Sequence, residues 1–106
     1  MNHALIKDLE AVFTTADTEP TGPLTHLELA VDLQFTINAH NIEGFAVSIF
    51  IDGGAFGVAV WRNQGQPFVD VLSIRLRPSG PWTVARGVEP PVTEYRGDVM
   101  AAFLLG

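Results

Sequence analysis

The chain has 106 residues, 47% of them hydrophobic and 17% charged, with no cysteine and a formal charge of −6. That is the size of one domain (residues 1–106), apolar enough to bury a core and too apolar to stay disordered. The missing cysteine excludes disulfides, thiolate chemistry and cysteine-bound zinc.

The acid excess lies in the first half, where eight carboxylates between residues 1 and 52 face Lys7 alone. Residues 53–106 carry five arginines against four acids. Acidic surfaces repel phosphate backbones, so no nucleic-acid partner is expected. They attract basic proteins. Met1 to Glu10 lacks the basic lead and sustained apolar run of a signal peptide. No run reaches the roughly 18 apolar residues of a membrane span. The expected setting is the cytoplasm, without membrane contact.

The first predicted element is a helix. Leu5, Ile6, Leu9, Val12 and Phe13 recur at three- and four-residue spacings, with Asn2 as N-cap. The polar stretch from Thr14 to Pro23, with two prolines and a glycine, predicts a loop.

Residues 24–39 (LTHLELAVDLQFTINA) alternate. Leu27, Leu29, Val31, Leu33, Phe35 and Ile37 are apolar, whereas His26, Glu28, Asp32, Gln34, Thr36 and Asn38 are polar, with Ala30 breaking the pattern. Alternation predicts a long strand with one dry and one wet face.

Residues 49–61 (IFIDGGAFGVAVW) raise the question of a phosphate loop. No lysine or hydroxyl residue follows the glycines, and Val58 to Trp61 look like a strand, so the glycines predict a two-residue hairpin turn. With Gly53-Gly54 as the turn, Ile51 faces Phe56, Ile49 faces Val58 and Val47 faces Val60; an Asp52-Gly53 turn also keeps the large residues on one face. The other face carries Ala46, Ser48, Phe50, Ala59 and Trp61, which predicts a hairpin covered on both sides, by a helix or by another chain.

Residues 63–67 (NQGQP) read as a turn, Phe68 to Arg77 as a fourth strand and Trp82 to Ala85 as a short edge strand. A rigid connector, residues 88–92 (VEPPV), precedes a helix from Thr93. Tyr95, Val99, Ala102 and Phe103 fall on one of its faces, with Thr93 as cap. The resulting class is α+β: an N-terminal helix, an antiparallel meander of four to five strands and a C-terminal helix, the helices covering the dry face of the sheet.

Candidate chemistry is sparse. His26 and Glu28, with Asp32 and His40 further on, do not make a converging zinc set. Ser48 and Ser73 lie mid-strand without a nucleophile elbow. Glu28 and Asp32 stand about 13 Å apart on a strand, beyond the reach of a two-carboxylate pair. Arg75 and Arg77 share a strand face that suits an anion or simple solubility. Arg96-Gly97-Asp98 spells an adhesion tripeptide, which chance explains. No metal, cofactor or catalytic set is implied.

The leading expectation is a non-catalytic protein-binding module of inhibitor, immunity or adaptor type. It would engage a basic protein through Glu28, Asp32, Gln34 and Asp52, with Trp82 as exposed anchor. A second reading is a homodimer joined through Phe50 and Trp61. A third is a small-molecule site lined by Glu28, Arg75 and Trp82.

Overall fold

A computed structural model of the chain describes residues 2–19, 23–62, 71–77 and 80–106. Its elements in chain order are α1 (His3–Thr18), α2 (Pro23–Ala39), β1 (Phe45–Asp52), β2 (Ala55–Arg62), β3 (Val71–Leu76), β4 (Trp82–Arg86) and α3 (Arg96–Leu105). The class is α+β, as the sequence predicts, with two N-terminal helices rather than one. No helix of the described residues is long and apolar enough to cross a membrane.

α1 buries Leu5, Leu9, Phe13 and Ala16, the stripe seen in the sequence. It runs through Thr14 to Thr18, where a loop was expected. The Asn2 side chain makes no capping bond.

The main correction concerns residues 24–39, which form a helix and not a strand. On a helix, successive odd residues turn by about 200°, so a period-two pattern splits into two i, i+4 series on opposite sides. Leu29, Leu33 and Ile37 form the buried series. Leu27, Val31 and Phe35 form the exposed one. Length also argues against the strand. Sixteen extended residues would span about 50 Å, against a greatest molecular extent of 32 Å.

The four strands form an antiparallel sheet in the order β1-β2-β3-β4. The Gly53-Gly54 turn holds. Ile51 pairs with Phe56, Ile49 with Val58 and Val47 with Val60. Both turn glycines have positive φ, 59° and 83°, as a two-residue turn of primed type requires. The predicted turn at 63–67 and residues 68–70 of the predicted fourth strand lie outside the described residues.

All three helices cover one face of the sheet. α2 lies over β1 and β2, α1 lies against both α2 and α3, and α1 and α3 reach β4. Val58, Val60, Leu72, Ile74, Trp82 and Val84 point into that layer and join the helix residues in one core. Among the described residues no element of this chain packs on the opposite face, so no helix supplies the second cover expected of the hairpin.

α3 starts at Arg96 rather than Thr93, after Tyr95 in the left-handed region at φ 58°. Its buried side is Gly97, Met100, Ala101, Phe103 and Leu104, whereas Tyr95 and Ala102 are exposed. Gly97 sits where α3 meets α1, and its N–H donates to the Glu10 carboxylate at 3.0 Å.

Candidate functional site

The structure disperses the residues expected to form one binding face. Glu28 and Asp32 are exposed and, now four residues apart on α2, lie on one helix face. Gln34 is half-buried and turned to the sheet: its Oε1 accepts the Val47 N–H at 3.1 Å, and its Nε2 donates to Asn38 Oδ1 at 3.2 Å. Asp52 points to the opposite face of the sheet, where it accepts a 2.8 Å hydrogen bond from Arg75. Trp82 is not an exposed anchor. It is 0% exposed, in the centre of the core.

The physical reason is the change of period. On a strand, Glu28, Asp32 and Gln34 share a side. On a helix, Gln34 falls on the flank toward β1 while Glu28 and Asp32 point away from it. Trp82 is drawn inward because β4 alternates it with Val84 onto the helix-covered face.

Phe50 and Trp61 do share a face, the one free of helices. The Phe50 ring lies over Gly57, where an added Cβ would clash with it, and the Arg75 guanidinium stacks on the ring at 5.2 Å. Trp61 donates from Nε1 to Ser48 Oγ at 3.2 Å. Ser48, Ala59, Ser73 and Ala85 form a row of small residues across all four strands between them.

The small-molecule lining does not assemble. Glu28 is on α2, Arg75 is on the far face of the sheet and Trp82 is in the core. Arg77, one residue beyond β3, is exposed. His26 packs on Trp82 at 4.8 Å and on Phe56 at 5.8 Å between ring centroids. Glu28 lies on the other side of the helix. His40 is bonded to Asp8 at 2.7 Å. Among the described residues no three His, Cys, Asp or Glu side chains converge to hold a metal ion. Arg96 of the adhesion-like tripeptide is buried against Asp17.

The exposed apolar side of α2 was missed by sequence reasoning. Leu24 (70% exposed), Leu27, Val31 and Phe35 (74%) run along it, and Ile49, Ile51 and Phe56 crop out at the neighbouring sheet corner. Scattered exposed leucines are ordinary, but a continuous apolar surface marks an interaction site. The available signal was the doubled i, i+4 series itself.

The helix divides this surface in two. Leu24 and Phe35 lie on the side turned away from the sheet, and Glu28 and Asp32 form its acidic margin toward α1, beside Thr15, Ala16 and Glu19. Leu27, Val31, Gln34 and Asn38 share the flank over the free edge of β1. No protein-family model matches the chain, and no curated protein or solved structure is significantly similar to it.

Proposed function

We propose that the chain is a non-catalytic, cytoplasmic protein-binding module that engages a basic, amphipathic segment of another protein through the outward side of α2. The observation that carries this reading is a helix apolar on two opposite sides, only one of which the core uses. Leu24 and Phe35 supply the apolar contact, and Glu28 and Asp32 supply the charge that selects basic side chains along its margin. The acidic surplus of residues 1–52 extends the same field. The expected recognition surface thus keeps Glu28 and Asp32 and exchanges Gln34, Asp52 and Trp82 for Leu24 and Phe35.

The test is capture from the source lysate at low and high salt, run in parallel with wild type, Phe35→Ser and the pair Glu28→Lys/Asp32→Lys. The expected result is a stoichiometric basic protein that wild type retains at low salt and releases at high salt. The Phe35 variant should not retain it, and the charge-reversed pair should retain it weakly. An empty wild-type lane, or the same proteins on all three baits, overturns the reading.

A further inference from the structure

We propose that two copies of the chain join through β1, edge to edge, making one eight-stranded sheet with the two α2 helices side by side above the junction. This goes beyond the binding reading and does not rest on it.

The two edges of the sheet are finished differently. β4 is closed: Val84 donates to the Val92 carbonyl at 3.0 Å and accepts the Val92 N–H at 2.9 Å. β1 is a full eight residues, FAVSIFID, in unbroken register with β2. It has no proline and no bulge, and no charge before its last residue. Long, flat, uncharged edges are what folded proteins avoid unless another strand pairs with them.

The direction of the free groups follows from one bond. The Val47 N–H points out to Gln34 rather than to β2. Residues two and four further on share that direction, so Ile49 and Ile51 present their N–H and C=O groups outward. Gln34 closes the edge at Val47, and among the described residues no strand pairs with 48–52 on that side. A two-fold axis at Phe50 pairs Ile49 with Ile51 of the second copy, and the reverse, through four backbone hydrogen bonds. It also sets the two Phe50 rings side by side on the helix-free face, an aromatic cross-strand pair.

The helix layer fits the same axis. α2 sits over β1 and β2 alike. With strands spaced about 4.8 Å, its axis is about 5 Å from the two-fold. The two α2 helices then lie about 10 Å apart, within helix-packing distance. Gln34 lies at Val47, and strand and helix rise about 3.3 and 1.5 Å per residue. That places Leu27 nearest the axis, with Val31 beside it.

Charge and area suit a second copy. With Leu27 at the axis, α2 overlaps its copy from Pro23 to Val31, so the α2 flank and the open edge meet through Leu27, Val31, Ile49 and Ile51, none of them charged, and two acidic chains approach without like charges facing. Leu27, Val31, Ile49 and Ile51 are 50%, 57%, 37% and 68% exposed, so each has apolar surface left to bury against the second copy. The paired backbone of residues 48–52 adds to this, toward the roughly 800 Å² that each partner of a standard interface buries. Glu28, Asp32 and Phe35 remain outward in both copies, so the dimer displays the acidic face twice.

Light scattering across a concentration series tests the proposal, with wild type, Ile51→Pro, Leu27→Asp and Trp61→Ser. Ile51→Pro removes an N–H directed away from β2, so the β1–β2 ladder stays intact. Leu27→Asp sets two carboxylates at the axis from an exposed helix position and decides the matter should the proline variant fail to fold. The expected result is twice the monomer mass for wild type and Trp61→Ser, and the monomer mass for the other two. A wild-type monomer at every concentration overturns the proposal. So does a dimer that survives Leu27→Asp, or one that only Trp61→Ser dissolves.

Discussion

Arg96 holds Asp17 through two parallel hydrogen bonds, Nη1 to Oδ1 at 3.0 Å and Nη2 to Oδ2 at 2.8 Å. The pair joins the first residue of α3 to the last turn of α1. It also fixes β4, because Trp82 donates its N–H to Asp17 Oδ1 at 2.9 Å and accepts from Arg96 Nη1 at 2.9 Å. The guanidinium stacks on Phe13 at 5.1 Å. Three elements distant in sequence thus share one charged knot, with the Arg96 side chain 7% exposed.

Removing one partner strands the other charge. Asp17→Ala is expected to cost about 3 kcal/mol, the lower end for a broken buried pair. Arg96→Lys should recover little, because an ammonium cannot make the parallel pair of bonds. Urea unfolding of the three proteins checks this. A loss under about 1 kcal/mol for Asp17→Ala would mean that the knot behaves as an exposed ion pair.

Gly97 makes a second prediction with the sign reversed from habit. Glycine to alanine inside a helix ordinarily stabilises, by about 1 kcal/mol. Here an added Cβ would stand 2.8 Å from the Ile6 carbonyl oxygen and 2.9 Å from Glu10 Cγ. The first is backbone and cannot swing aside. Gly97→Ala should therefore destabilise by about 1–3 kcal/mol, as overpacking does. A thermal melt showing a higher Tm would refute the close approach of α1 and α3.

The two sides of α2 should respond differently to truncation. Leu33 is 0% exposed and sits in the core cluster. Leu33→Ala should cost about 2–5 kcal/mol. Phe35→Ser, two residues on, should change stability by less than about 0.5 kcal/mol, as surface substitutions do. Comparable losses at both positions, measured by chemical denaturation, would mean that something covers Phe35 in the isolated protein. The same substitution is expected to abolish partner capture, so stability and binding separate at one residue.

Much of the fold was legible because it depends on local pattern. The α1 stripe and a two-residue hairpin turn at the glycines follow from spacing and from the need for positive φ, with the pairing of Ile49 and Val58 as one of two registers that keep the large residues on one face. The β4 strand at Trp82 was also readable, although its tryptophan was assigned to solvent. α3 was placed three residues early, since nothing local announces that Tyr95 adopts a left-handed conformation before Arg96 turns in to Asp17.

The sequence by itself determined the α+β class and the two-residue hairpin, because turns and short amphipathic runs are decided by neighbouring residues; the choice between a Gly53-Gly54 and an Asp52-Gly53 turn was made by the sheet register. It did not decide residues 24–39. Their alternation satisfies a strand with one dry face and a helix with two apolar sides equally well, and only the room available on the sheet separates them. A 17-residue helix of about 25 Å fits across β1 and β2, where a strand of that length does not. That choice moved Gln34 to the sheet and turned Leu24, Leu27, Val31 and Phe35 out to solvent. The position of Trp82 is tertiary for the same reason: which face of a strand is dry depends on which face the helices cover.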